Sequence, residues 1–400
     1  MELIKPDINI NFVGRRNLAF IFSGLLILMS LVSLILHGGP NYGVDFAGGV
    51  LVQVRFTKAT NAAEIKKTLA PLGMRDATIQ RFGAEDKDEF LIRTQGSGED
   101  LTTLAEDVGK ALKATYGENA VDVRRVETVG AKVGKDLREK ALLAIYYAIL
   151  LITVYISGRF EGKWALAGIV AASLVGATLL VDTLMAAAWG EGNLAIVVLI
   201  VTSLAVVVIA CWLLKLRYAL GAIVALIHDV LITVGVFSLL NLEFTLAIVA
   251  AILTIIGYSL NDTIIVFDRI RENIKKGGKR PLGEVINESV NQTLSRTILT
   301  SGTTLLVLFC LFILGGGVIQ DFSLALLVGV GVGTYSSIFV ASPVLLLLPD
   351  TSPSLRLKRS RKVTMKPSRQ PRPAPAPATA PEPQAAAGGA KPKKKKSKRR

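Results

Sequence analysis

Long apolar runs restrict this chain more than any other feature. Residues 17–36 read NLAFIFSGLLILMSLVSLIL, and further apolar runs occupy 141–157, 164–188, 193–214, 218–240, 242–266, 297–316 and 322–348. A bilayer core about 30 Å thick takes about 20 apolar residues per helical span. Lipid offers the backbone no partners, so such runs must be helices that bond internally. The reading is a multi-pass α-helical membrane protein with eight spans. A mean hydropathy of +0.50 is too apolar for an ordinary soluble domain. For 17–36 the competing reading is a cleaved signal peptide. The run is longer than a signal core and HGGPNYG follows it, not a small-residue cleavage site, so a retained span is expected.

Residues 38–140 are different material. VLVQVRF (50–56), ATIQRF (77–82), EFLIRTQ (89–95) and AVDVRRVETVG (120–130) read as strands. NAAEIKKTLAPLG (61–73) and LTTLAEDVGKALKATYG (101–117) read as helices closed by glycine. The order β-α-β-β-α-β is the ferredoxin-like split unit. The fold class is therefore a helical membrane protein carrying one α+β extracytoplasmic domain. The expected layout is a cytoplasmic segment 1–16, a span 17–37, the sheet domain 38–140, a span 141–161, a hairpin 162–216, a four-helix core 217–348 and a tail 349–400.

Lys and Arg set the orientation. With the N-terminus in the cytoplasm, the inner loops hold Arg159, Lys163, Lys215, Arg217 and a cluster from Arg269 to Arg296, while the outer short loops hold Glu191, Glu243 and Asp321. Both termini are then cytoplasmic and the sheet domain is periplasmic. Residues 350–400 contain 16 Lys/Arg against Asp350 and Glu382, so most of the formal +15 belongs to this tail. Its Pro/Ala-rich composition predicts disorder. The tail is either a solvated end or an electrostatic contact with anionic lipid or RNA.

Charged groups inside spans are expensive and usually face a bundle interior. GYSLNDTIIVFDRIREN (257–273) places Asp262 within an apolar run, with Tyr258 one turn back and Asn261 beside it. Arg296 opens the next span, and Thr300, Thr303 and Thr304 continue its face inward. Both lie near the cytoplasmic side, so an Asp262–Arg296 pair is a candidate proton-exchanging site; polar glue between helices and an interfacial arginine anchor are the plainer alternatives. Asp229, beside His228, stands mid-span as a possible supporting group or a buried structural pair, and Asp182 is a weaker case. Gly329, Gly333, Ser337 and Ala341 recur at four-residue spacing, a close-packing stripe. In NYGVDFAGG (41–49), Gly43, Asp45, Phe46, Gly48 and Gly49 mark a hinge or docking corner where the first span meets the outer domain, with Asp45 exposed. Cys211 and Cys310 sit in apolar runs, and two histidines are too few for a histidine metal site. No nucleophile set, phosphate loop or metal cluster is present, so an enzyme is not indicated and no cofactor is expected.

GVDFAGG (43–49), GAKVGKDLREKA (130–141), RF (159–160), ALGAIVALIHDV (219–230), GYSLNDTIIVFDRIREN and LSRTILTSGTTLL (294–306) resemble the SecF family of the bacterial Sec export machinery, within the resistance-nodulation-division superfamily. The resemblance implies a SecD-like partner, the SecYEG channel and exported polypeptides as contacts, with YajC among the candidates, in the inner membrane. It implies that the proton-motive force drives late translocation, with proton-linked residues at Asp262 and Arg296 and a further aspartate on the partner. The chain departs from the family pattern at 162–216, where about 55 residues intervene between RFE and the ALG…HD run. A passive scaffold for the translocase and a small-molecule exporter of the superfamily are the alternatives. The exporter needs two outer domains and twelve core spans, which this chain lacks.

Overall fold

A computed structural model describes residues 8–72, 74, 77–82, 88–94, 101–162, 164–166, 168–169, 171–172, 175–176, 183, 193–276 and 280–348. The basic tail and Asp182 lie outside the described residues, as does most of the first arm of the expected hairpin.

The first span, α1 (Arg16–Leu36), has 21 residues, enough to reach across about 30 Å of hydrocarbon. A short helix (Val44–Ala47) then leads into β1 (Gly49–Phe56). The sheet domain continues through α2 (Ala62–Leu69), β2 (Thr78–Arg81), β3 (Glu89–Thr94), α3 (Leu101–Tyr116) and β4 (Val121–Val129). Its four strands lie in the order β2-β3-β1-β4 with antiparallel neighbours, which is the split βαβ arrangement. Asn61 caps α2: its side chain accepts from Glu64 N at 2.9 Å and donates to the Glu64 carboxylate at 3.0 Å. Strand alternation sorts the residues. Val50, Val52 and Val54 are buried with Ile65, Leu69, Ile92, Val108 and Leu112 in a core of their own. Leu51, Gln53, Leu91 and Arg93 point to the opposite face.

The next helix, α4 (Ala131–Glu161), starts ten residues ahead of its apolar run, because Gly130 ends β4 and AKVGKDLREK is rich in helix formers. Gly162, in the left-handed conformation at φ +65°, stops it. Then come α5 (Asn193–Leu213), α6 (Arg217–Leu239), α7 (Leu246–Lys276), α8 (Leu282–Leu314) and α9 (Gly317–Ser336). The expected span 242–266 begins later, at Leu246, because residues 240–245 form the connection; its helix runs on to Lys276, past the apolar stretch. Past Ser336 the helix widens into a π turn (Ser337–Ala341). Pro343 has no N–H for the carbonyl four residues back, which is a sufficient local cause.

Among the described residues six helices are long and apolar enough to cross a membrane, against the eight spans expected; the inserted segment contributes α5, whose stretch Ile200–Leu213 is apolar but shorter. The most enclosed helix is α6, with Ala219, Leu220, Gly221, Ala222 and Ile223 all buried. The small-residue stripe of α9 packs within the chain, against α7. A Cβ on Gly329 would lie 2.2 Å from Ile255 Cδ1, and one on Gly333 would lie 2.9 Å from Ser259 Cβ. Two helices stay open on one side: α1 exposes Leu18, Ile21 and Leu25, and α8 exposes Leu306, Val307 and Phe309.

Candidate functional site

Asp262 is 1% exposed, on the inner face of α7. Ser301 of α8 donates to its Oδ2 at 3.1 Å, and its Oδ1 has no hydrogen-bond partner. The hydroxyl of Thr297, one turn before Ser301, is also buried and unpartnered. A carboxyl held by one hydroxyl is chemically unfinished, since an ionised carboxylate accepts several hydrogen bonds.

The expected pair with Arg296 does not form. Arg296 is exposed and makes no ion pair with Asp262. The reason is helical phase. Leu294, Thr297, Ser301 and Leu308 form the buried side of α8. Arg296 stands five residues before Ser301, about 140° around the axis. Thr300 and Thr303 share the exposed side, and their hydroxyls bond back to their own helix at 2.9–3.1 Å. Asn261 is exposed too. Tyr258 lies between the two environments and donates to Thr304 Oγ1 at 3.0 Å. Asn261, Arg296, Thr300 and Thr303 thus form an exposed polar row beside the buried carboxyl.

Asp229 is the better-built polar centre. It is 0% exposed on α6, and its Oδ2 accepts from Ser259 of α7 at 2.6 Å and Ser336 of α9 at 2.9 Å. Its Oδ1 lies 2.9 Å from His228 Nδ1. His228 Nε2 is 3.0 Å from Ser23 Oγ of α1, and Ser23 is 3.2 Å from the Tyr335 hydroxyl of α9. Four helices meet through these side chains. Ser23, Ser301, Tyr335 and Ser336 carry no signal in the sequence, because lone serines and tyrosines are common in helices; Ser259 shows there only as polarity near Asp262. Only the small-residue stripe around Gly333 pointed at the α7–α9 contact. Ser259 is one turn from Asp262, so both carboxyl centres are built on the same helix.

The glycine motif is a docking corner. Gly48 adopts φ +76°, and a Cβ there would sit 2.8 Å from Ala131 Cα, so only glycine fits. Gly49 follows at φ +130° and opens β1. Phe46 is buried against Phe244 and Tyr42. Gly43 N donates to Phe244 O at 3.0 Å. Asp45 is half-buried, not exposed as expected: its Oδ2 accepts from Leu246 N at 2.9 Å and so caps α7. Beside it, Arg93 of β3 forms an ion pair with Glu243 in the α6–α7 connection. Both line a cavity of about 250 Å³ between sheet and helices.

Burial holds the Glu243 carboxyl above its ordinary range despite the opposing pull of Arg93; Asp321 and Asp45 push the same way as burial. A value raised on docking means that docking takes up a proton. Docking is therefore strongest at acid pH and weakens as pH rises through the raised value. Hydrogen exchange across β3 should be slower at pH values in the ordinary carboxylate range than well above it, after correction for intrinsic rates. Glu243→Gln should flatten that dependence. An unchanged slope in the variant would remove Glu243 as its source.

Among the described residues no group of three or more His, Cys, Asp or Glu could hold a metal ion. The protein export membrane protein SecD/SecF C-terminal family matches residues 107–202 and 187–351, and the SecD/SecF GG motif matches 33–60. The two C-terminal matches meet inside the inserted segment. The chain is 45% identical over 355 residues to the protein translocase subunit SecF of Magnetococcus marinus, covering 88% of this chain and 96% of that one. It is 39% identical to SecF of Vibrio alginolyticus, covering 87% and 92%. The crystal structure of SecDF, a translocon-associated membrane protein from Thermus thermophilus, superposes with a TM-score of 0.61 at 30% identity. That match covers 86% of this chain and 39% of the SecDF chain, so this chain spans about two fifths of it. A second SecDF structure, in a super-membrane-facing form, gives a TM-score of 0.51 at 29% identity, covering 91% and 40%. With its glycine corner, helical core and sheet domain all inside these matches, the chain belongs to the SecD/SecF family of protein-export membrane proteins, as a SecF-type translocase subunit.

Proposed function

We propose that this chain is the SecF-like half of a two-subunit machine in a bacterial inner membrane. It works with a SecD-like partner and couples proton movement to late translocation through SecYEG. The observation that carries this reading is the unfinished Asp262 site. A buried carboxyl with one free oxygen lies behind exposed polar side chains on two helices long and apolar enough to cross a membrane. Arg296, Asn261, Thr300 and Thr303 would be costly against lipid. A partner helix covering that row removes the cost and sets its own polar groups against Arg296 and Thr300, beside the buried Asp262. Arg296 then supplies a fixed positive charge nearby, so the carboxyl can switch between charged and neutral forms as the partner moves.

In this reading both termini face the cytoplasm and the sheet domain faces outward, following the Lys/Arg bias of the loops. Exported polypeptides meet the sheet domain. No cofactor is needed beyond the proton gradient. The passive-scaffold reading also needs a partner on α8, so the partner test alone does not separate the two; the behaviour of Asp262 does. The partner claim is tested by Thr300→Cys in native membranes. Cross-linking to a SecD-like subunit is expected, with none from a cysteine placed at Ile169 in the inserted segment. Equal cross-linking from both positions would put the partner elsewhere.

A further inference from the structure

The hydrogens around His228 can be counted from the heavy atoms. Tyr335 Oη lies 2.9 Å from the Ala19 carbonyl oxygen. A carbonyl only accepts, so the phenol hydrogen points there. Ser23 Oγ lies 3.2 Å from Tyr335 Oη, and with the phenol hydrogen in use the serine must be the donor. His228 Nε2 lies 3.0 Å from Ser23 Oγ. The serine hydrogen is also in use, so Nε2 carries a hydrogen and donates it. That leaves Nδ1 facing Asp229 Oδ1 at 2.9 Å, with His228 and Asp229 only 3% and 0% exposed. A bare ring nitrogen against an ionised oxygen would oppose two lone pairs in a dry site. A proton must lie between them, on one atom or the other.

We propose that His228 and Asp229 form a second proton-binding site in the membrane core, distinct from Asp262, occupied in this conformation and read by α1 and α9. The occupied pair holds one proton more than a carboxylate beside a neutral imidazole. When that proton leaves, the ring keeps the hydrogen on Nδ1, bonded to the Asp229 carboxylate. Nε2 gives up its hydrogen, which passes to solvent, and becomes an acceptor. Ser23 then turns its own hydrogen to Nε2, and the Tyr335 oxygen loses its donor. One proton thus reverses the polarity of the link between α1 and α6 and breaks the link between α1 and α9, while the link between α6 and α7 stays.

The groups facing the pair are few. From α9 come Ser336 and Tyr335, whose ring stacks on the imidazole with centroids 6.1 Å apart. From α7 comes Ser259, with Asp262 one turn further on; α1 contributes Ser23. No charged residue lies between Ala141 and Gly158 of α4. The site does not depend on Asp262 being the coupling group, so the two ideas can fail separately.

The chain has two histidines, so a His37→Gln background leaves His228 alone. The test is nitrogen NMR of this full-length, histidine-labelled chain in lipid bilayers at neutral pH. A hydrogen on Nε2 is expected, whether or not Nδ1 also carries one. Tyr335→Phe removes the phenol that takes the serine hydrogen, and the Nε2 hydrogen should be lost with Nδ1–H remaining. Asp262→Asn should leave the His228 signals unchanged. An Nε2 without hydrogen in the parent chain, or an Nε2–H that survives Tyr335→Phe, overturns the proposal.

Discussion

Asp262→Asn is expected to abolish the proton-driven part of export while leaving the subunit folded and bound to its partner. Asparagine has the same shape and still accepts from Ser301, so the packing of α7 on α8 is kept. It cannot take up or release a proton. One charge crossing about 100 mV carries about 2.3 kcal/mol, enough to shift two conformations by roughly fifty-fold. Loss of that drive should reduce completion of a translocating precursor to the level seen when the gradient is collapsed. The measurement is the yield of fully exported precursor from membranes lacking their own SecF and supplied with the variant. Full yield would favour the passive scaffold. Arg296→Met should weaken the same step less, because the arginine is exposed in the subunit and acts by charge, not by a direct bond to Asp262.

Gly329→Leu has the largest expected effect on stability. The space a Cβ would enter is already filled by Ile255, whose Cδ1 lies 2.2 Å from that position. Flexible side-chain tips can move, but Cγ1 and Cγ2 of the same isoleucine lie at 2.4 and 2.8 Å, so the whole side chain stands in the way. The helices α7 and α9 must separate, and overpacking of this kind costs about 1–3 kcal/mol or more. Ser259 of α7 and Ser336 of α9 converge on Asp229 of α6 beside this contact, so separation also strips a donor from a buried carboxyl. The expected result is a lower thermal midpoint in detergent and a lower steady-state level in membranes. Gly331→Leu is the control, because nothing lies within 4 Å of that Cβ position. Equal behaviour of the two variants would contradict the packing account.

Six of the spans were legible because nothing but a membrane helix tolerates such long apolar runs, and the sheet domain because its period-two strands and glycine-closed helices are local signals. The inserted segment was legible as helix at α5. A direct Asp262–Arg296 ion pair is absent from the subunit for a physical reason. Sequence placed both residues at the same depth in consecutive spans, but depth says nothing of rotation about the helix axis. Ser301 won because it shares the buried phase with Thr297 and Leu308. The Asp229 centre was half visible as a mid-span His-Asp pair. Its completion by Ser23 and Tyr335 was not, because they come from α1 and α9 and no local pattern ties them to residue 229. Asp45 was read as exposed because a loop aspartate usually is; its role as the cap of α7 depends on the corner folding back.

Asp262 is expected to move protons once the partner covers the polar row of α8. The most direct measurement is proton flux through the purified pair of subunits in vesicles bearing a pH gradient, followed by an entrapped pH-sensitive dye. The account predicts flux for the native pair, none for the pair carrying Asp262→Asn, and none for this subunit alone. Equal flux from the native and Asp262→Asn pairs would contradict it.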